Sequence, residues 1–459
     1  MGGTPSNAGA GVGGSFAGSG GNLGVAGTGG VAGASGVGGA SGSGGSAGGG
    51  VIVAPLTGPG HVTITPSGSG YSLQRDGQPY YIKGINGQFD LELAAHSGAN
   101  STHTYNTDNA GSVLDSAKAL GITVTIGVDL DPGANYNDDT FKNGVRAKVT
   151  DALKYKDHPA LLLWSIGNEL NLSADNQQTW QFVGELANTI QQADPNHPVM
   201  TVLAGANHTA IDHVLAWAPT IHLLGINVYA PVTHVADDMA SSHFSGPYVV
   251  TEWGPTGYWE SPTTSWGRPI EQTSSDKAQV YQQRYEYIAA HRDHALGSYV
   301  FLWAQKQERT PTWFGMFLEN LPDIGLAGES CPTVDVCAYE WSGGWPANRA
   351  PSVTALTING KAASANVTLG SNQSLTAQVT ASDPESDTLH FVWEILEEPP
   401  TQANNRGEMR PARVGNAQTT TSPSASLSAP NNSGQYRLFV YALDGKGHAG
   451  TANVPFQVQ

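Results

Sequence analysis

From Val62 to Trp303 the chain alternates two hydrophobic patterns. Short unbroken apolar runs have the signature of strands covered on both faces. Longer stretches with apolar residues every three or four positions have the signature of amphipathic helices. The runs Tyr80–Gly84, Ser101–Tyr105, Ile122–Val128, Leu161–Gly167, Val199–Leu203, Leu223–Val228, Tyr248–Thr251 and Ser298–Trp303 read as strands. Helical spacing spans Asn109–Leu120, Phe141–Tyr155, Ala174–Ala193 and Ser275–Arg292. In the first helix Val113, Leu114, Ala117 and Leu120 share a face, Asn109 stands as N-cap and Gly121 ends it. In the third, Trp180, Phe182, Val183, Leu186 and Ile190 form the apolar stripe. Strand and helix alternate about eight times over roughly 290 residues, which implies parallel strands with crossover helices and predicts a (β/α)8 TIM barrel. An open doubly wound sheet is disfavoured, because no Gly-x-Gly-x-x-Gly follows a first strand and opens a helix.

Beyond Asn348-Arg349-Ala350-Pro351 the texture changes. Short alternating runs at Ser352–Ile358, Ser374–Val379, His390–Ile395, Tyr436–Ala442 and Ala452–Val458 are separated by turns such as Asn359-Gly360, Asp383-Pro384 and Asp444-Gly445. They predict a small all-β, immunoglobulin-like sandwich. Residues 1–50 are almost entirely Gly, Ala, Ser, Val and Thr, too poor in large apolar groups to offset ordering entropy, and read as a disordered tether. The expected organisation is a tether over residues 1–50, a catalytic barrel over 51–347 and a sandwich over 348–459.

Charge narrows the classes of function. With 38 acidic against 21 basic residues the net charge is −17, which excludes a basic nucleic-acid footprint. No apolar run reaches the length of a membrane span. Charged residues are only 13% of the chain, which fits a secreted or surface-attached bacterial protein tethered through its N-terminal linker. The start of the chain has neither the positive charge nor the apolar core of a signal peptide, so a processed form is expected. The two cysteines, Cys331 and Cys337, lie close together and suggest a small disulfide loop in an oxidising compartment; a zinc site is disfavoured, because no histidine pair lies near them.

Catalytic groups of such barrels gather at the C-terminal ends of the strands. Those ends here carry Asn86, Tyr105 to Asp108, Asp129, Asn168 with Glu169, Asn227 with Tyr229, Glu252 with Trp253, and Trp303 to Gln305. Glu169 ends the fourth strand and Glu252 the seventh, which places two carboxylates on one mouth, as glycoside hydrolysis requires. A charge on Glu252 would raise the pKa of Glu169, so Glu169 is expected as general acid/base and Glu252 as nucleophile. Asn168 is expected to bind a sugar hydroxyl, Tyr229 to orient Glu252, and Trp303 to floor the sugar; Asn86, Tyr105, Asn227, Trp253 and His103 complete the expected substrate-binding set. Tyr258, Trp259, Trp266, Trp313 and Phe314 add aromatic loop residues suited to an oligosaccharide or polysaccharide.

The segments Trp164–Glu169, Gly225–Tyr229 and Val250–Gly254 resemble the large clan of retaining barrel glycoside hydrolases. The resemblance covers about Gly70 to Trp345 and implies an acid/base at Glu169, a nucleophile at Glu252, and no cofactor or metal. The segments Tyr81–Asn86 and Thr104–Asp108 are similar to β-1,3-glucanosyltransferases of fungal walls, and family-two barrels look similar too. One departure stands out: where the clan has an arginine beside the nucleophile, this chain has His103. The expected activity is retaining hydrolysis of a β-glucan or related polysaccharide, with a β-1,3-glucan transglycosylase or a non-catalytic glycan-binding barrel as alternatives. The turn Ala381–Asp387 resembles those of cadherin-like and PKD-like modules, some of which bind calcium, although a plain acidic turn is the preferred reading.

Overall fold

The computed structural model describes residues 53–398 and 408–459, so the expected tether lies outside it. Eight strands close into a barrel: β1 (Ile82–Asn86), β2 (Ser101–His103), β3 (Thr123–Val128), β4 (Leu161–Asn168), β5 (Val199–Ala204), β6 (Leu223–Asn227), β7 (Tyr248–Trp253) and β8 (Ala295–Val300). Every neighbouring pair is parallel, and β8 returns to β1. A helix follows each strand: α1 (Leu91–His96), α2 (Ala110–Ala119), α3 (Asp139–Ala152), α4 (Gln177–Ala193), α5 (His208–Trp217), α6 (Val235–Ser241), α7 (Ser274–Ala290) and α8 (Pro332–Ser342). This is the TIM barrel that the alternation predicts.

The main core lies between strands and helices, where the apolar faces of α2 and α4 meet residues such as Val124, Trp164 and Leu203. Within the barrel, Leu162, Met200, Val202, Leu223, Val249 and Tyr299 pack with Val62 and Leu73 of an N-terminal hairpin (Val62–Ser67 and Gly70–Arg75). The hairpin bonds to the loops that lead into β5 and β8, through Val62 N–H to Asn196 and Tyr71 N–H to Asp293. It therefore closes the N-terminal end of the barrel and leaves the other end open for chemistry.

The sandwich contains β9 (Ser352–Ile358), β10 (Thr368–Leu369), β11 (Ser374–Ser382), β12 (His390–Glu397), β13 (Gln418–Thr420), β14 (Ser424–Ser428), β15 (Gly434–Leu443) and β16 (Ala449–Val458). They form a three-stranded sheet, β9-β11-β14, and a five-stranded sheet, β10-β16-β15-β12-β13. β11 alternates buried and exposed positions, as a strand with one wet face should. β15 is buried on both faces, because Leu438 and Val440 face the sandwich core while Phe439 and Tyr441 pack on Leu318, Ile324 and Leu326 of the barrel chain.

Polar groups also cross this seam. Glu271, 6% exposed, accepts from Lys277 Nζ (2.6 Å), Thr310 (2.6 Å), Thr312 (2.8 Å) and Asn453 of β16 (2.6 Å). Arg437 of β15 holds Glu398 with two bonds of 2.8 Å and donates to the Pro269 carbonyl at 2.9 Å.

One expectation changes. Cys331 and Cys337 are both free and buried. Cys331 caps α8 and Cys337 lies within it, and six residues of helix separate their backbones by about 9 Å, beyond the reach of a disulfide. Burial pushes the Cys331 thiol up to about 12, so it is inert as a nucleophile. In the acidic turn at 383–387, Asp383 accepts from the N–H groups of Glu385 and Asp387 at 2.9 Å, and Asp387 pairs with Lys446 at 2.7 Å.

Candidate active site

Two local distortions aim the glutamates. The β4–β5 register shifts between Ile166 and Asn168, and the β6–β7 register shifts between Val250 and Glu252. Such bulges re-aim side chains at strand ends. Glu169 itself adopts φ +54°, an uncommon conformation for a residue with a Cβ, costing about 1–2 kcal/mol. Gly167 before it stands at φ +70°, and a Cβ there would meet Leu170 Cδ1 at 2.6 Å. The strand thus ends in a tight turn that turns Glu169 into the mouth.

Glu252 is 7% exposed, and each of its oxygens accepts from a tyrosine: Oε1 from Tyr105 at 2.8 Å and Oε2 from Tyr229 at 3.0 Å. Burial holds its carboxyl above the ordinary carboxylate range, with the Tyr105 hydroxyl, Lys306 and the Tyr229 hydroxyl opposing. Glu169 is half-buried and accepts from Asn227 Nδ2 at 3.0 Å, and the same amide donates to Asn168 Oδ1 at 3.1 Å. Thr251 Oγ1 donates to Asn227 Oδ1 at 2.8 Å, which settles the amide's orientation. Burial, then the negative charge of Glu252, raise Glu169 to about 8, with the Asn227 hydrogen bond opposing. One carboxylate therefore has two hydroxyl donors and the other has one amide donor, an asymmetry of the kind that separates an acid from an ionised partner.

Other expected site residues lie elsewhere. Asn86 is fully buried, donates to the Thr251 carbonyl at 2.9 Å and accepts from His103 Nδ1 at 3.1 Å, so its polar atoms are taken by protein. His103 is 2% exposed, between the rings of Tyr105 and Tyr299 at 5.2 and 5.4 Å. Burial pulls it down to about 3, so it is neutral and supplies no charge in place of an arginine. Trp253 follows Glu252 on the strand and therefore points the opposite way, onto Tyr281 and Tyr285 of α7. Trp303 lies past β8, fully buried under Phe317 and Trp341, and is not an open floor. Asp129 pairs with Lys148 at 2.9 Å.

The aromatic surface is supplied instead by Trp259, 50% exposed, which stacks on Phe314 and meets Tyr229 edge-on at 5.5 Å. Trp313 and Phe314 are buried beneath it, in a cluster with Tyr229 and Phe301. Sequence reasoning missed Lys306 and Glu308, which form an ion pair of 2.6 Å on the loop after β8. Their signal was present as alternating charge straight after an aromatic strand end.

No protein-family model matches the chain. Among curated proteins it is similar to a β-galactosidase of Vibrio cholerae, 24% identical over 165 residues, covering 31% of this chain and 15% of that protein. It is also similar to a β-glucuronidase of Chlorocebus aethiops, 25% identical over 177 residues, covering 34% of this chain and 26% of that protein. The resemblance is to barrel β-glycosidases. Among solved structures, a β-galacturonidase of Eisenbergiella tayi matches with a TM-score of 0.48 and 19% identity, over 62% of this chain and 54% of that one. A β-glucuronidase of Bacteroides uniformis gives the same TM-score with 12% identity, over 87% of this chain and 48% of that one. The chain spans about half of these structures and 15% and 26% of the two curated relatives.

Proposed function

We propose that the chain is a retaining β-glycosidase. Glu252, ionised between two tyrosine hydroxyls, attacks the anomeric carbon and forms a glycosyl ester. Glu169 first protonates the leaving oxygen and then, as a carboxylate, takes a proton from the water that releases the sugar. The observation that carries this reading is the unequal environment of the two strand-end glutamates. The half-exposed Trp259 ring beside Tyr229 offers a face for a sugar of an oligosaccharide or polysaccharide chain. A β-glucan is one candidate substrate; the curated relatives are named for galactose and glucuronic acid, so galactosides and glucuronides join it. An extracytoplasmic location rests on composition alone, since the cysteines are free.

The test is a panel of aryl β-glucosides, β-galactosides and β-glucuronides, assayed with the native chain, Glu169→Gln and Glu252→Gln. Each substitution is expected to lower kcat by about a thousandfold or more. A 2-fluoro glycoside should label Glu252, read by peptide mass spectrometry. Near-native turnover in either variant, or labelling elsewhere, would remove the assignment.

A further inference from the structure

We propose that Thr251 is a positioning residue for the acid: through Asn227 it keeps Glu169 Oε1 an acceptor, so that the proton to be transferred is carried on Oε2. The proposal rests on the glycosidase reading for the meaning of that proton.

The geometry begins with the distortion in β7. Val250 pairs with Ile226 and Glu252 with Asn227, so Thr251 is an extra residue with no opposite number on β6. It is fully buried. Gly225 makes room for it, since a Cβ there would meet Thr251 Cγ2 at 2.8 Å and Oγ1 at 3.0 Å. The Thr251 carbonyl accepts in turn from Asn86 Nδ2 at 2.9 Å, a nitrogen that also lies 3.4 Å from the Tyr299 and Val300 carbonyls. An amide nitrogen facing three carbonyls has its orientation fixed, so Asn86 Oδ1 is the acceptor and His103 Nδ1, at 3.1 Å, carries the hydrogen. Thr251 is thus pinned by its backbone. Its hydroxyl donates to Asn227 Oδ1 at 2.8 Å, and Asn227 Nδ2 donates to Glu169 Oε1 at 3.0 Å.

Both hydrogens of the Asn227 amide are committed, one to Glu169 Oε1 and the other to Asn168 Oδ1 at 3.1 Å. A carboxyl oxygen that faces an N–H cannot also hold a proton there, because hydrogen would meet hydrogen. The proton of the neutral acid therefore sits on Oε2, which has no hydrogen-bond partner among the described residues. In the first half-reaction Oε2 gives this proton to the glycosidic oxygen, which takes the electron pair of the breaking C–O bond while Glu252 forms the ester. In the second, the oxygen of water attacks the anomeric carbon, its proton goes to Oε2, and the pair of the ester C–O bond returns to Glu252. An N–H can donate to Oε1 in both states, so the acid keeps one bond throughout. Without the Thr251 hydroxyl the Asn227 amide is free to turn and set Oδ1 against Glu169. The acid would then give its proton to that oxygen rather than to the leaving group.

The test compares the native chain, Thr251→Val and Thr251→Ser on an alkyl and a dinitrophenyl β-glycoside of the same sugar. A dinitrophenolate departs without being protonated, whereas an alkoxide needs the acid. Thr251→Val should lower kcat/KM for the alkyl glycoside about 10- to 100-fold, a part of what general acid catalysis supplies, and for the dinitrophenyl glycoside by less than about threefold. Thr251→Ser, which restores the hydroxyl, should recover most of the loss. Equal losses on both substrates, as a merely structural role would give, overturn the proposal. An alkyl glycoside rate that Thr251→Val leaves unmoved, or a Thr251→Ser enzyme as slow as Thr251→Val, does so too. Neutron diffraction from native crystals exchanged into heavy water, below about pH 8 where Glu169 holds its proton, should place a deuteron on Glu169 Oε2 and the Asn227 deuterons toward Glu169 Oε1 and Asn168. A deuteron on Oε1 overturns the proposal whatever the kinetics. If the native chain turns over no glycoside, the glycosidase reading fails, while the deuteron positions still decide which oxygen carries the proton.

Discussion

At the scale of single residues, the setting of Glu252 is the central chemical fact. A buried carboxylate beside a second carboxylate should hold its proton unless something stabilises its charge. Two tyrosine hydroxyls favour that charge against burial, which leaves Glu252 above the ordinary carboxylate range, and burial together with the Glu252 charge holds both phenols well above theirs, so they remain donors. Tyr105→Phe removes one donor from Glu252 Oε1. A hydrogen bond to a charged group is worth about 1.5–3 kcal/mol, so kcat/KM should fall about 10- to 100-fold. Because the donor favours the ionised form, its loss raises Glu252. The acid limb should therefore move to higher pH and the alkaline limb, set by Glu169, should stay; an unmoved acid limb would show that Tyr105 does not tune the nucleophile. Both glutamates were legible in the sequence because each follows an apolar strand and ends it. The role of His103 was not, because strand position says which barrel level a residue occupies and not whether its ring is solvated. The neighbour that matters is Tyr105, two residues further on and in hydrogen-bond contact with Glu252.

At the scale of elements, periodicity was a good guide to β3, β4, β7 and α4, whose ends fall within a few residues of expectation. It failed for short or capped helices. α1 and α6 have too few turns to show a period, and α8 was obscured by the cysteine pair at its start. Pro332 at its first turn was a helix signal available in the sequence, since proline is favoured there. A native disulfide would add about 2–4 kcal/mol, enough to shift the melting temperature by several degrees on reduction. With both thiols free, a reducing agent should leave the melting curve unchanged. Thiol titration of the denatured, unreduced chain should count two groups; a count of zero, or a melting point that falls on reduction, would restore the bridge.

At the scale of the whole molecule, the sandwich shares polar as well as apolar interior with the barrel, so the two are expected to unfold together. The seam is built on Glu271, which burial would protonate but which Lys277 and the Thr310 hydroxyl hold below the usual carboxylate range. Lys277→Met would leave that carboxylate buried with its countercharge gone, a change that typically costs about 3–5 kcal/mol. Lys277→Met/Glu271→Gln removes the stranded charge and should recover most of the loss. The sign of the pH dependence follows from the same group. A carboxyl held low in the folded state contributes stability at every pH above the ordinary glutamate value, and that contribution is lost as the pH falls below that value through its folded one. Urea unfolding at neutral pH, followed by circular dichroism and by tryptophan fluorescence, should give one coincident transition for the native chain. Lys277→Met should move the midpoint far down at neutral pH and much less in acid, where native Glu271 is itself protonated. Separate transitions in the native chain, or a midpoint shift that ignores pH, would mean that the seam is a contact between independent units and that Glu271 does not hold them as one.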